Sequence, residues 1–348
     1  MKKPIIIAGP CSAENEQQVI ETAQLLATSN KITALRAGAW KPRTKPGSFE
    51  GMGEIALTWL KEASRLTNLP VAVEVANACH VEVALKHDID ILWIGARSTV
   101  NPFTVQEIAE ALRGTNTKIM IKNPINPDTN LWSGAIERIQ KAGIEDITLI
   151  HRGFSSYTPV TYRNPPMWHI AVEMRAKHPN IPIICDPSHM AGKKELIPAL
   201  CQEAADLYYD GLIIESHVNP SCALSDSAQQ LTPLELHNLI DNIIWKEAAT
   251  LEPNYLSKIE RLRNYIDQND SDLLQMMSNR MKIAQRIGTA KRAAGVALYQ
   301  PGRWDKIVKE TLEKSAKLEL SDEFVRDLLN AMHAESLRHQ RKIMREKI

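Results

Sequence analysis

The stretch IPIICDPSHMAG, residues 181–192, is followed further along the chain by GLIIESHVNPSCALSD, residues 211–226. Each stretch contains a short apolar run typical of a buried parallel strand, and polar residues follow each run. His189, Glu215 and Asp226 offer a nitrogen and two carboxylate oxygens, which are donors that hold divalent metal ions. The two stretches therefore predict neighbouring strands of an α/β protein whose carboxyl ends carry a metal site.

The first 245 residues repeat this alternation of strand and helix. Eight strands, each followed by a helix, over about 240 residues are typical of a (β/α)8 TIM barrel. A doubly wound open sheet is the alternative, but it normally has fewer strands and a glycine-rich phosphate loop, which GPCSAEN at residues 9–15 lacks. The last helix of the barrel is predicted to begin at Thr232-Pro233 and to run to about residue 249. The predicted strands are 4–8, 33–39, 71–76, 91–96, 118–122, 147–151, 182–185 and 211–214, and helices include 16–29, 52–67, 104–112, 131–142, 168–177 and 194–205.

Charged residues stand at the predicted carboxyl ends of the strands, where a barrel forms its active site. Convergent Arg and Lys side chains suit the phosphate and carboxylate groups of anionic substrates. A further run of cations, KPRTKPG at residues 41–47, predicts a second anion clamp. We therefore expect two phosphorylated substrates beside a metal. In chain order, the residues at or after the strand ends are Cys11, Arg36, Lys41, Glu74, Arg97, Lys122, His151, Arg152, Asp186, His189 and Glu215.

The chain changes character near residue 250, where we place a boundary between a barrel domain (1–250) and an all-α domain (251–348). Residues 1–252 carry a net charge of −5 and residues 253–348 a net charge of +6. Strand signals nearly vanish beyond the boundary. A helix of about 40 residues is too long for a compact monomer of this size and predicts an intertwined dimer. The predicted helices are 255–293, 304–315 and 323–346.

Three cations of the helical domain lie on or near its apolar stripe. They are Arg263, Arg280 and Lys291, and Arg303, Ser336 and Gln340 add further donors. Two interpretations remain open: side chains that extend from a solvated helix, or a site for an anionic ligand. Nucleic-acid binding is not favoured, because no aromatic residues alternate with the cations and the whole chain has a net charge of only +1.

The composition indicates a cytoplasmic protein. The five cysteines are scattered and show no CxxC spacing, so a disulfide framework is not expected. The apolar run in MKKPIIIAGPC is too short for a signal peptide. We also expect no membrane partner, because no segment approaches the roughly 18 apolar residues of a membrane span.

The barrel motifs resemble the type I (beta branch) 3-deoxy-D-arabino-heptulosonate 7-phosphate (DAHP) synthase family. A sister family that makes 3-deoxy-octulosonate phosphate shares the barrel, but KPRT after the second strand favours erythrose 4-phosphate as the aldehyde substrate. The resemblance therefore implies a transferase that condenses phosphoenolpyruvate with erythrose 4-phosphate. The matching motifs are AGPCS at 8–12, LRAGAWKPRT at 35–44, GAR at 95–97, IKNP at 121–124, HRGFS at 151–155, DPSH at 186–189, ESH at 215–217 and LSD at 224–226.

The same resemblance assigns roles to individual residues. It implies a metal held by Cys11, His189, Glu215 and Asp226, with Mn, Fe, Co and Zn left open. It places erythrose 4-phosphate against Arg43 and Thr44, with Asp186 near the reacting centre. Lys41, Lys122, Glu74 and His217 stay open as the group that positions the attacking water. Phosphoenolpyruvate is assigned to Arg36, Lys41, Arg97, Lys122 and Arg152.

The C-terminal segment is similar to the all-helical (AroQ-class) chorismate mutase family. The match runs through LR at 262–263, Asp270, LL at 273–274, Arg280, IG and Lys291 at 287–291, Arg303, and ES to Gln340 at 335–340. It implies an isomerase that converts chorismate to prephenate. Arg263 of a partner subunit, Arg280 and Arg303 would bind the two carboxylates, Lys291 and Gln340 would donate to the ether oxygen, and Ser336 would assist at a carboxylate.

One departure from the mutase family is visible. The family usually has Glu directly after the arginine at 303, where it contacts the substrate hydroxyl, and this chain has Trp304. A non-catalytic sensor or dimerisation domain is therefore the alternative. Taken together, the two resemblances predict a bifunctional shikimate-pathway enzyme that dimerises through its helical domain. Binding of chorismate or prephenate there is expected to inhibit the barrel.

Overall fold

The computed structural model describes residues 3–41, 47–156, 161–247, 253–299 and 301–345. The chain divides into two compact units, Met1–Ala248 and Ala249–Ile348. The first unit combines strands and helices, and the second contains helices only among its described residues.

The first unit is a closed parallel barrel, as predicted, so the open-sheet alternative is wrong. Eight strands within the described residues pair in chain order, and the last pairs with the first. In the closing pair, Gly9 lies opposite Glu215. Both faces of every strand are covered, which explains why the runs are continuously apolar instead of alternating. The strands are β1 Ile5–Gly9, β2 Ala34–Ala37, β3 Val71–Val75, β4 Ile91–Ile94, β5 Lys118–Lys122, β6 Ile147–His151, β7 Ile183–Cys185 and β8 Gly211–Glu215.

Most helices of the barrel begin at residues whose side chains cap them. Asn15, Asn77 and Asp128 each accept hydrogen bonds from backbone N–H groups of the following turn. Two short helices that the sequence did not predict, α4 and α8, follow β4 and β7 directly. The helices are α1 Glu16–Ala27, α2 Glu54–Thr67, α3 Ala78–Lys86, α4 Ala96–Thr99, α5 Pro102–Leu112, α6 Thr129–Lys141, α7 Trp168–Lys177, α8 Pro187–Ala191, α9 Ile197–Asp206 and α10 Pro233–Asn242.

The predicted end of α10 near residue 249 is wrong. A capping box between Thr232 and Glu235 starts the helix as expected, but the helix ends at Asn242. The side chain of Gln202 accepts a hydrogen bond from the backbone N–H of Ile244 and donates one to its carbonyl, both at 3.0 Å. This pairing satisfies the backbone outside a helix, and Ile243 and Trp245 then pack against the core.

The interior of the barrel is filled by large side chains, with Trp93 fully buried at its centre. Above Trp93 begin the polar residues of the mouth: the guanidinium carbon of Arg36 lies 5.0 Å from the ring centroid, and the indole Nε1 donates to Glu74 Oε2 at 2.9 Å. Trp93 therefore forms the floor of the site. The interior apolar side chains are Ile7, Ala34, Ala72, Ile91, Trp93, Met120, Ile150, Ile184 and Ile213, and alternate residues of the strands pack outward against the helices.

The second unit consists of three long helices, α11 Pro253–Ala293, α12 Pro301–Ser315 and α13 Asp322–Arg345, with a 3-10 turn at Ala316–Leu318. The helices α11 and α13 pack closely, since a Cβ on Gly288 would lie 3.0 Å from the Cα of Gln340. Their small core contains Met281, Ala284, Val325 and Leu329. No helix among the described residues is both long and apolar enough to cross a membrane.

Candidate active sites

Three predicted metal ligands meet at the mouth of the barrel. Cys11 follows β1, Glu215 ends β8 and Asp226 lies in the following loop, so the β1–β8 pairing joins residues that are far apart in sequence. One donor atom from each of the three lies within 4.8 Å of the other two. His189 reaches the same place from α8, with its Nε2 3.7 Å from Glu215 Oε1.

The environment of this group fits a divalent metal. Glu215 Oε1 is buried and accepts no hydrogen bond, although Arg36 Nη2 lies 3.3 Å away. Burial, together with the charge of Glu215, raises the pKa of the Cys11 thiol to about 12. The protein alone therefore keeps this thiol protonated at neutral pH, and a metal would displace the proton on binding. One sulfur, carboxylate oxygens and an imidazole suit a transition metal or zinc.

Asp186 links the metal group to a lysine. Its carboxylate caps α8, accepts from His189 Nδ1 and lies 2.8 Å from Lys122 Nζ. Although burial favours the neutral form, His189 and Lys122 hold the pKa of Asp186 well below its usual value. Asp186 therefore remains an anion that orients both neighbours.

Predicted anion-binding residues surround this centre. Arg36 Nη2 and Lys41 Nζ both donate to the Cys11 carbonyl, at 3.2 and 3.0 Å, and Lys41 Nζ is 2.9 Å from the Cys11 sulfur. The Nε and Nη1 atoms of Arg36 are buried and make no hydrogen bond to any residue that the structure describes. Buried donor atoms without a hydrogen bond are costly, so these two atoms suit an anion bound at the mouth.

The two remaining arginines of the predicted phosphoenolpyruvate set lie nearer the solvent. Arg97 is exposed on α4, and Arg152 is half-buried directly after β6. Burial lowers the pKa of Arg152 to about 10, with Asp186 opposing and the charges of Arg163 and Arg97 reinforcing the shift. Arg43 and Thr44, predicted to bind erythrose 4-phosphate, lie outside the described residues.

His151 was expected at the site because it ends β6, but its side chain does not face the site. Its ring is fully buried in an aromatic layer between strands and helices, and its Nδ1 lies 2.8 Å from the Tyr209 hydroxyl. Burial lowers the pKa of His151 to about 3. The alternation along β6 explains this: Ile147, Leu149 and His151 all point outward, whereas Ile150 points into the barrel.

Sequence reasoning missed Arg163 and Gln229. Arg163 Nη1 donates to Asp226 Oδ1 at 3.1 Å and to Gln229 Oε1 at 2.9 Å. Gln229 Nε2 donates to Glu215 Oε2 at 2.7 Å. Neither residue ends a strand or stands in a quoted motif, so no local pattern could identify them.

In the helical unit, five of the six predicted chorismate-binding residues lie on α11 and α13, and four of these five are near the contact between the two helices. Arg280 donates to the hydroxyl of Ser336 and to the Met332 carbonyl. Lys291 Nζ donates to the Leu298 carbonyl. Gln340 is buried, and its Oε1 accepts no hydrogen bond. The close packing at Gly288 brings Gln340 against α11.

Two predicted chorismate-binding residues are exposed. Arg263 lies on the solvated first part of α11, 17 residues and therefore about 25 Å before Arg280. Arg303 is exposed near the start of α12. Trp304 stacks on His333, with 4.1 Å between ring centroids. An aromatic pair thus occupies the position where the mutase family usually has a carboxylate.

The barrel with polar residues gathered at the carboxyl ends of its strands defines a (β/α)8 enzyme. Residues 2–252 match the DAHP synthetase I family, and residues 262–341 match chorismate mutase type II. The chain belongs to the DAHP synthetase I family and carries a chorismate mutase type II domain, as both resemblances predicted. Members of the first family are transferases, and members of the second are isomerases.

Relatives with known names agree with this placement. A phospho-2-dehydro-3-deoxyheptonate aldolase from Thermotoga maritima is 33% identical over 226 residues, which are 65% of this chain and 64% of that protein. A crystal structure of the DAHP synthase from the same organism has a TM-score of 0.62 at 31% identity, covering 68% of this chain and 67% of that one. A 2-dehydro-3-deoxyphosphooctonate aldolase from Helicobacter pylori is 28% identical, covering 70% of this chain and 95% of that protein.

Proposed function

We propose that the chain is bifunctional. Residues 1–250 condense phosphoenolpyruvate with erythrose 4-phosphate to DAHP and phosphate, and residues 251–348 convert chorismate to prephenate. The observation that carries the first activity is the close group of Cys11, Glu215 and Asp226 beside a buried arginine with two unpaired donor atoms. This arrangement combines a metal-ligand set with an anion site on one barrel mouth.

In the condensation, C3 of phosphoenolpyruvate attacks the aldehyde, water adds at C2, and phosphate leaves by C–O cleavage. Arg36, Lys41, Arg97, Lys122 and Arg152 hold phosphoenolpyruvate, while Arg43 and Thr44 hold the aldehyde phosphate. These cations fix both anions in attack geometry. A divalent cation (Mn, Fe, Co or Zn) bound by Cys11, His189, Glu215 and Asp226 supplies Lewis-acid polarisation of the aldehyde carbonyl.

Four residues of the barrel are candidates for positioning the water that attacks C2. Asp186 stays ionised and fixes the ammonium group of Lys122 from 2.8 Å. Lys41 lies after β2, and its ammonium group is 2.9 Å from the Cys11 sulfur. Glu74 is engaged by Trp93, and His217 Nε2 lies 3.7 Å from Glu14. All four residues remain candidates for positioning the attacking water.

The second candidate is synthesis of 3-deoxy-octulosonate 8-phosphate, favoured by the octulosonate aldolases among the relatives. Carbon counting separates the two reactions: phosphoenolpyruvate contributes three carbons, so DAHP requires a four-carbon aldose phosphate and the octulosonate a five-carbon one. We expect the purified chain to release phosphate rapidly with erythrose 4-phosphate and negligibly with a five-carbon aldose phosphate. A faster rate with the five-carbon sugar, in the same phosphate-release assay, would reverse the assignment.

The mutase reaction is unimolecular and needs no acid, base or cofactor. Arg280, Arg303 and the partner's Arg263 bind the two carboxylates, with help from Ser336, and so fold the substrate. Lys291 and Gln340 stabilise charge on the breaking C–O bond. The alternative, a sensor domain that binds without turnover, is supported by the Trp304–His333 pair in place of a carboxylate.

We infer that two copies of the chain form a homodimer through α11. Residues 261–276 of this helix are all exposed, including Leu262, Tyr265, Ile266, Leu273 and Leu274. Such a row of large apolar side chains needs a covering surface. A second copy supplies one, and the 25 Å separation of Arg263 from Arg280 along one helix requires that copy to complete the mutase pocket.

Feedback inhibition of the synthase is the expected reason why the barrel and the helical domain are joined in one chain. Prephenate bound in the helical domain is expected to weaken binding of the barrel substrates about 5- to 150-fold, and so to lower the synthase rate of the full chain at subsaturating substrate. The measurement is phosphate release at increasing prephenate concentration. An Arg280→Ala variant is the control, because it should lose prephenate binding and hence inhibition. Reciprocity requires the barrel substrates to weaken prephenate binding by the same factor. A synthase rate unchanged at saturating prephenate would refute feedback.

A further inference from the structure

Two neighbouring glutamines lie directly under the metal-ligand group. Both are fully or almost fully buried, and their amides are paired with the ligands or with residues beside them. Gln229 Nε2 donates to Glu215 Oε2 at 2.7 Å. Gln230 Oε1 accepts from the backbone N–H of Cys11 at 2.9 Å, and its Nε2 donates to the Ser225 carbonyl at 2.9 Å, next to Asp226.

A second pair of neighbouring residues contacts the other two ligands. Arg163 Nη1 donates to Asp226 Oδ1 at 3.1 Å, and Asn164 Nδ2 donates to the backbone carbonyl of His189 at 2.7 Å. The Asn164 backbone N–H donates to Met190 O at 3.1 Å, which fixes the segment along α8. Gly192, at φ +69°, leaves room for the Arg163 side chain, because a Cβ at residue 192 would lie 2.6 Å from the Arg163 Cβ.

The two pairs form one network. Arg163 Nη1 also donates to Gln229 Oε1 at 2.9 Å, so Asp226 and Glu215 are joined through Arg163 and Gln229. An amide buried this deeply is costly unless it is fully hydrogen-bonded, and Gln229 is bonded at both ends. An apolar side chain would fill the same volume without that requirement. The sequence therefore places hydrogen-bonding groups where packing alone does not need them.

The network also determines which donor atoms of the ligands remain available to a metal ion. Gln229 engages Glu215 Oε2, which leaves Oε1, an oxygen with no hydrogen bond. Arg163 engages Asp226 Oδ1, which leaves Oδ2 at 3.4 Å from the Cys11 sulfur. Asp186 engages His189 Nδ1, which leaves Nε2 at 3.7 Å from Glu215 Oε1. Glu215, Asp226 and His189 thus each have one side-chain atom held by the protein and one directed toward the other ligands.

We propose that Arg163 and Asn164, with Gln229 and Gln230, are positioning residues that preset the four-ligand metal site with one donor atom from each ligand. This inference rests on the proposed metal site. Partners of metal ligands of this kind raise affinity because they fix ligand orientation, and their loss typically weakens metal binding about 10- to 100-fold.

The test measures metal affinity, independently of turnover. Metal-free full-length chain is titrated with Mn²⁺ against a chelating dye, for the wild type and for Arg163→Gln, Arg163→Lys, Gln229→Met and the Arg163→Gln/Gln229→Met double variant. We expect Arg163→Gln and Gln229→Met each to weaken Mn²⁺ binding about 10- to 100-fold, with partial recovery in Arg163→Lys. The double variant should bind Mn²⁺ only slightly less tightly than the weaker-binding of the two single variants, because both residues belong to one network.

Arg113→Gln is the matched control. Arg113 directly follows α5 and forms an exposed pair with Glu110, so its loss should leave Mn²⁺ affinity unchanged. If the wild type takes up no Mn²⁺, the proposed metal site and this inference both fail. If the wild type binds Mn²⁺ and Arg163→Gln binds it equally or more tightly, only the inference fails. Arg163 is half-exposed, so its variants can be tested even if Gln229→Met does not fold.

Discussion

Removal of divalent metal is expected to abolish DAHP formation and to leave the rearrangement of chorismate by the same molecule unchanged. In the proposed mechanism a Lewis acid acts at the aldehyde carbonyl, an effect of several kcal/mol, so the loss should be about a thousandfold or more. The mutase step only folds its substrate between fixed charges. Both rates are measured on one sample, as phosphate release and as loss of chorismate absorbance, before chelation, after it and after Mn²⁺ is added back.

The mutase rate serves as the internal control for chelation, since a fall in both rates would indicate unfolding or chelator damage. A Cys11→Ala variant should reproduce the chelated state, and Cys79→Ser, on the exposed surface of α3, should behave as wild type. Full synthase turnover by protein shown to be metal-free would contradict the metal assignment.

The second large effect concerns the mutase pocket. Lys291→Met and Arg263→Ala are each expected to lower the mutase rate about 100-fold or more, because each removes a cation that binds the substrate or its developing charge. If the pocket combines Arg263 of one subunit with Lys291 of the other, mixed dimers of the two variants contain one intact pocket. After unfolding and refolding together in equal amounts, about a quarter of the wild-type rate should return, since half of the dimers are mixed.

The control is Lys282→Met, at an exposed lysine two residues after Arg280 on α11, and this variant should keep its full rate. No recovery in the mixture, with each variant alone inactive, would mean that one chain holds a whole pocket. Retained binding of prephenate without any wild-type turnover would favour the sensor alternative, with the Trp304–His333 stack as its structural reason.

The sequence predicted the barrel well because its signals are local and repeated. Short apolar runs end in polar residues at eight places, and every predicted strand overlaps an observed one. Helix starts were predictable where Thr232 or Asn15 caps them. The end of α10 was not predictable, because Ile243 and Trp245 continue the apolar pattern while Gln202, 42 residues away from Ile244, decides the backbone conformation.

Some residues of the candidate site could likewise be predicted from the sequence, and others could not. Cys11 lies two residues after β1, Asp186 follows β7 directly and Glu215 ends β8, and the strand order brings them together. His151 also ends a strand, but its position in the alternation of β6 turns it outward, and this could have been read from Leu149 and Ile150. Arg163 and Gln229 lie in loops, and contacts between residues 66 positions apart leave no local pattern in a single sequence.

A metal ion bound at the closing pair of strands, β1 and β8, would also contribute to the stability of the barrel. Cys11 and Asp226 are 215 positions apart, and they meet only after β8 has been laid against β1. An ion bound by these residues would link β1 to β8, and this link could not form until nearly the whole barrel had been synthesised. Ligand linkage adds about 2.7 kcal/mol to folding stability at a hundredfold excess over the dissociation constant. A cell short of metal would therefore lose part of the free energy that keeps the first strand beside the last.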